Sequence, residues 1–269
     1  MCAAAMTPER RCIILGRPMG TTIVFANQKG GVGKTTSTAN VGAFLADAGK
    51  SVLLIDFDPQ GNLSSAVGAD VDKPGIYEAL TNGVPIADVT QHTTVDHLCI
   101  VPSSINLTGA NVELVDQQDR GLYLRRSLAA VKSRYDFILI DCPPSLGILT
   151  LNGLGAADHV LIPLQCEYFA MEGLTQLLQS IKRVQASLNP HLRILGIFFT
   201  MYDSRTRLAQ DVVQEVIGYF GKRVLRTIIP RNVRLSEAPS HGVPIHQYDA
   251  DCVGARSYRK LSEEVLDRV

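Results

Sequence analysis

Residues 29–36, Lys-Gly-Gly-Val-Gly-Lys-Thr-Thr, concentrate two lysines, three glycines and two threonines, and that mixture is phosphate chemistry. Gly30, Gly31 and Gly33 let the backbone curl so that successive N–H groups can converge on one anion. Val32 lies inside the loop, and Thr36 continues it into the next segment. Lys34 supplies a full positive charge for β- and γ-phosphates, and the Thr35 hydroxyl suits Mg²⁺. A carboxylate is then needed to complete the metal site. Asp141 closes an apolar run (Phe137 to Ile140), the arrangement in which an acid holds Mg²⁺ directly or through water. Its bland alternative is a turn or N-cap aspartate. Asp56 closes a second such run and could equally support the metal indirectly, from behind its direct ligands. Asp58 lies two residues past that strand end, where an acid can orient the water that attacks a γ-phosphate. An Asx turn before Pro59 is the competing role.

These residues need a frame that brings them together. Ile23 to Ala26 is an apolar, β-branched run that breaks into the glycine loop, and a helix-forming segment follows from about Lys34 to Ala48. Strand, turn and helix are the context a phosphate loop requires, with the helix aiming its positive end at the anion. Strand and helix patterns then alternate. Strands are expected at Ser51 to Asp56, Leu98 to Pro102, Asp136 to Asp141, Val160 to Leu164, Arg193 to Met201 and Val224 to Ile229. Helices are expected at Ile76 to Leu80, Thr108 to Val115, Leu122 to Ser133, Met171 to Leu188 and Leu208 to Tyr219. A last helix from about Ala255 carries Tyr258, Leu261, Val265 and Val269 on one face. The fold class is therefore α/β: a single domain with a mostly parallel, twisted β-sheet and helices on both faces. In such a sheet ligands bind at the carboxyl ends of the strands, which is where Asp56, Asp58 and Asp141 fall.

The whole chain sets further bounds. Its 269 residues are enough for one α/β core, with 46% apolar and 19% charged residues and no net charge, so a nucleic-acid surface must be a local patch. Six scattered cysteines without a C-x-x-C pair argue against disulfides or a zinc site and fit a reducing cytosol. No run approaches the ~20 apolar residues of a membrane span. Residues 1–20 read as a short disordered extension, and 21–269 as the domain.

The loop departs from the usual P-loop, which has glycine where this chain has Gln28. Lys29-Gly-Gly-Val-Gly-Lys-Thr-Thr36 resembles the deviant Walker A motif of the ParA/MinD superfamily of P-loop NTPases. Asp56-Phe-Asp-Pro-Gln-Gly-Asn62, Asp141-Cys-Pro-Pro-Ser-Leu-Gly147, Pro163 to Ala170 and Ile229 to Gly242 extend the likeness to chromosomal ParA/Soj partition ATPases. It spans about Thr21 to Val269. The resemblance implies an ATPase using ATP and Mg²⁺, slow alone and stimulated by a ParB/Spo0J-like centromere-binding protein. It makes Lys29 a lysine that reaches the other subunit's nucleotide in an ATP-bound homodimer. Asp58 becomes the hydrolysis aspartate, and Pro230 and Asn232 line the adenine pocket. A cytoplasmic, nucleoid-associated protein is implied.

ParA relatives bind double-stranded DNA without sequence preference, which needs phosphate-facing cations. The carboxyl third offers Arg205, Lys222, Arg223, Arg226 and Arg234, and a solvated surface is the plain alternative. Tyr219 and Phe220 are expected in the core. A MinD-like membrane switch would need a basic amphipathic tail, whereas the last helix carries Glu263, Glu264 and Asp267. An iron–sulfur role would have to use isolated Cys99 or Cys142.

Overall fold

The computed structural model describes residues 19–269, so the extension expected over residues 1–20 falls outside them except for Met19 and Gly20. Gly20 already belongs to the domain. Its N–H donates to the Lys132 carbonyl at 3.1 Å, and a Cβ there would sit 2.2 Å from the Tyr135 carbonyl oxygen.

Eight strands form one sheet: β1 (Thr21–Phe25), β2 (Val52–Asp56), β3 (Gln91–His92), β4 (Leu98–Val101), β5 (Phe137–Asp141), β6 (His159–Gln165), β7 (Arg193–Tyr202) and β8 (Val224–Pro230). Their spatial order is β3-β4-β2-β5-β1-β6-β7-β8, and every pairing is parallel except the short edge pair β3–β4. The strands read as continuous apolar runs because both faces are buried. In β2, Leu53 and Ile55 enter one core while Val52 and Leu54 enter the other, and β5 divides in the same way.

The first helices are α1 (Lys34–Asp47), α2 (Asn62–Ala66), α3 (Ile76–Thr81), α4 (Leu107–Glu113), α5 (Tyr123–Ala129) and α6 (Ile148–Ala156). The remainder are α7 (Ala170–Ser187), α8 (Arg207–Phe220), α9 (Arg234–Glu237), α10 (Ile245–Tyr248) and α11 (Val253–Arg268). Residues of α1, α2, α10 and α11 build one core, and those of α3 to α8 build the other. The α11 stripe is as expected at Tyr258, Leu261 and Val265, all buried, but Val269 is exposed at the chain end.

Helix α6 was not legible, for a physical reason. Eight of its nine residues are buried, so no one-sided apolar stripe exists. Its glycines permit close approach: a Cβ on Gly153 would lie 2.6 Å from Cys142 Sγ, and one on Gly155 2.2 Å from the Gly121 carbonyl oxygen. Tyr219, expected in the core, is 74% exposed, and Phe220 beside it is half-buried.

Strand β8 ends the sheet, and a carboxylate covers part of that open edge. Glu264 of α11 accepts from the Arg226 N–H at 2.9 Å and the Thr227 N–H at 3.0 Å, while Arg268 donates to it at 2.9 Å. Occupied N–H groups cannot recruit a foreign strand.

Candidate nucleotide site

The phosphate loop leaves β1 near the centre of the sheet and enters α1. Left-handed backbone is needed at Gly31 (φ +72°) and Gly33 (φ +84°), a region costly for any residue with a Cβ. Gly30 lies outside it. Helix α1 has no side-chain cap and no acid in its first turn, so its N-terminal N–H groups and dipole are left for an anion. The Thr200 hydroxyl, at the end of β7, donates to the Val32 carbonyl at 2.9 Å and pins the loop from below. At the loop entrance, Asn27 donates to the Pro163 carbonyl at 2.7 Å and accepts from the Lys29 N–H at 3.0 Å.

Lys34 is buried, and its ammonium donates to the Lys29 carbonyl at 3.1 Å. Burial lowers its pKa, against the opposing fields of Asp141, Cys142 and Asp58. A cation held with so little water is primed for a polyanion. The Thr35 hydroxyl donates to Asp141 Oδ2 at 2.6 Å, and Asp141 Oδ1 is buried with no hydrogen-bond partner. Burial, reinforced by neighbouring Asp56, pushes the Asp141 carboxyl well above its ordinary range. A divalent cation between this oxygen, the Thr35 hydroxyl and a phosphate would relieve both defects, so the residues fit Mg²⁺. Among the described residues no cluster of three or more His, Cys, Asp or Glu could hold a metal. Mg²⁺ needs no such cluster, because phosphates and water complete its shell.

Asp56 lies beside Asp141 in the β2–β5 register but is committed elsewhere. Its Oδ2 accepts from the Ser64 N–H (2.8 Å) and hydroxyl (2.6 Å), and its Oδ1 from the Asp58 N–H (3.2 Å). It anchors the loop that carries Asp58. Asp58 is buried and lines the cleft, and its Oδ1 also accepts from the Gln60 N–H at 3.0 Å. The Asx turn and a place in the cleft wall thus coexist in one residue.

The cleft occupies about 760 Å³ and brings the loop, Asp58, Pro230 and Asn232 together across some 200 positions of sequence. This is an ordinary volume for a small-molecule site. The Asn232 side-chain oxygen is buried without a partner. Among the further lining residues that the sequence did not assign to the site are Thr200, Met201 and Tyr258. Thr200 and Met201 (φ +49°) come from the end of β7, and Tyr258 comes from α11, its hydroxyl 2.9 Å from Ser37 Oγ. The strand-end position of Thr200 was the available signal; Tyr258 looked only like one more apolar position.

Lys29 is not among the residues lining the cleft, and its ammonium pairs with Glu167 in the turn after β6. The five candidate DNA cations do not form one patch within a subunit. Arg205 follows β7, whereas Lys222 and Arg223 precede β8, and β7 and β8 are parallel. Their turns therefore lie at opposite ends of the sheet, separated by the seven residues of β8, roughly 23 Å. Arg226 lies partway along β8. Arg205 is 86% exposed, with its guanidinium forked onto Asp203 at 2.9 and 2.7 Å. Arg234 contacts Glu237 at 2.9 Å and Asp249 at 3.5 Å. Cys142 is buried beneath Gly153, a packing role that leaves it no opening towards a cluster. The apolar face of α11 packs on the domain and is not displayed to a membrane.

A mostly parallel sheet with a two-lysine phosphate loop at the end of β1, a buried strand-end acid and a cleft reaching past β8 defines a P-loop NTPase of the ParA/MinD type. A family model described as AAA domain matches residues 20–194. The chain is 64% identical over 250 residues to the chromosome-partitioning ATPase Soj of Treponema pallidum, covering 93% of this chain and 98% of that protein. It is 52% identical over 250 residues to the sporulation initiation inhibitor protein Soj of Bacillus subtilis, covering 92% and 98%. Among solved structures, cobyrinic acid a,c-diamide synthase from Mycobacterium smegmatis with bound ADP and magnesium superposes with a TM-score of 0.81 at 39% identity, covering 92% of this chain and 94% of that one. The chain belongs to the Soj/ParA family of chromosome-partitioning ATPases.

Proposed function

We propose that this chain is a nucleotide-switched partition ATPase. ATP and Mg²⁺ occupy the cleft, with phosphates on residues 30–36, Mg²⁺ on Thr35 and Asp141, and adenine against Pro230 and Asn232. The observation that carries the reading is two buried, partnerless oxygens, one on Asp141 behind the cleft-lining Thr35 and one on Asn232 in the cleft wall. The first asks for a cation. The second asks for a hydrogen-bond donor, such as the exocyclic amine of adenine.

Asp58 orients the attacking water. Two ATP-loaded copies close face to face, and Lys29 of each leaves Glu167 to reach the other's nucleotide. A lone subunit has an incomplete charge clamp, so unassisted turnover is slow. The dimer binds double-stranded DNA through phosphate contacts, and a ParB/Spo0J-like protein triggers hydrolysis and release. Such a protein is cytoplasmic and nucleoid-associated. Arg205 and Arg234 lie at the nucleotide end of each subunit, where dimer closure can influence them; Lys222, Arg223 and Arg226 would extend the DNA path along β8. DNA retention measured with ATP, with ADP and without nucleotide tests the reading. Retention confined to ATP is expected, and equal retention in all three states would refute the switch.

A further inference from the structure

We propose that Tyr168 and Phe169, flanked by the Lys29–Glu167 pair, are the aromatic anchor through which a second copy of this chain docks on the nucleotide face. The inference rests on the ATP-dimer reading above and assigns that contact to particular side chains.

Tyr168 and Phe169 form the turn between β6 and α7 and are 78% and 70% exposed. Their rings meet edge to face, with centroids 5.0 Å apart. Two adjacent exposed aromatics are an expensive surface to leave in water and are typical of interface anchors. The ion pair from Glu167 to Lys29 ties their turn to the phosphate loop, so they stand on the rim from which Lys29 would depart.

Charge identifies the occupant. An exposed base beside an exposed acid is self-complementary under a two-fold axis, since each copy presents acid to base and base to acid. Both partners are nearly half exposed, 45% for Lys29 and 47% for Glu167, so exchanging one contact for another changes little free energy. Nucleic acid is a poor match, because Glu167 and Glu172 put negative charge on both sides of the aromatics. The area is also sufficient. Two large aromatics from each copy, at ~150–250 Å² apiece, contribute a large part of the ~1,600 Å² of a standard interface.

The test uses the full chain with Mg²⁺ and a non-hydrolysable ATP analogue. Sedimentation equilibrium gives the dimer Kd, and a fluorescent nucleotide gives the analogue's affinity for dilute protein. Tyr168→Ala/Phe169→Ala should weaken the dimer by at least about 30-fold, the size of an interface hot spot, and leave nucleotide affinity unchanged. The chain has no tryptophan, so Phe169→Trp places a single reporter in the contact. Its emission should move to shorter wavelength with the analogue, and only at concentrations where dimer forms. If the wild type fails to dimerise with the analogue, the underlying dimer reading falls and takes this proposal with it. If the wild type dimerises and the double variant does so equally well, the assignment alone is overturned. Unchanged dimerisation with loss of DNA retention or partner stimulation would likewise overturn it, by giving the aromatics to another macromolecule.

Discussion

Asp56→Asn, studied without nucleotide and with Mg²⁺ chelated, isolates what the buried acid beneath the Asp58 loop does. Burial pushes the Asp56 carboxyl from its ordinary 3.8 up to about 6, against the lowering effect of the hydrogen bonds from Ser64 and Asp58. Because the folded value lies above the unfolded one, the native state holds this proton more tightly. Its contribution to stability is complete below about 3.8 and is lost as pH rises through about 6. A gap of about two pH units, at ~1.4 kcal/mol each, makes that loss about 3 kcal/mol. Asparagine does not ionise and escapes it. The amide, however, has one acceptor oxygen and an NH2 that accepts nothing, whereas both oxygens of the neutral acid keep an acceptor lone pair, so one loop donor goes unmatched at ~1–3 kcal/mol. The variant should therefore be the less stable protein near pH 4. It should then gain about 3 kcal/mol on the wild type by pH 7, drawing level or overtaking it. Urea unfolding midpoints from pH 4 to 8 measure the difference directly. A difference that stays constant, or one that grows against the variant as pH rises, would refute the assignment of Asp56 as an acid whose charge the fold resists.

Lys34→Ala should abolish ATP binding in a filter or fluorescence assay, whereas Lys29→Ala should still bind ATP but lose ATP-dependent dimerisation and turnover. Asp58→Ala should keep ATP and DNA binding while phosphate release nearly stops; turnover at the wild-type rate would move the catalytic role elsewhere. If the ATP dimer contacts ~4–6 phosphates, log K against log salt should have a slope of about −4 to −5, and Arg205→Ala should reduce its magnitude by about 2. An unchanged slope would mean that the Asp203 fork is the whole role of Arg205. Glu264→Ala removes the acceptor from two edge-strand N–H groups and from Arg268, and should lower the urea-measured stability by ~1–3 kcal/mol while adding concentration-dependent association.

The phosphate loop, the strand-end acids and the alternating α/β pattern were legible in the sequence because each is written locally. Glycines at 31 and 33 are needed where the backbone turns left-handed, and apolar runs such as Leu53 to Ile55 reveal strands buried on both sides. Even the placing of Asp58 and Asp141 at one end of the sheet followed from parallel topology alone. The strand order, in which β5 lies between β1 and β2, was not written in any single stretch. Nor were the contacts it creates: Thr200 on Val32, Tyr258 on Ser37 and Glu167 on Lys29 join positions 168, 221 and 138 residues apart. The same holds for the division of the basic residues between two ends of β8, for Asp56 as a loop anchor, and for α6, whose all-round burial erased the period that reveals a helix. Backbone conformation answers to the side chains within a few positions. Which side chains meet across space depends on how the whole chain packs its two cores, and only the tertiary structure decides that.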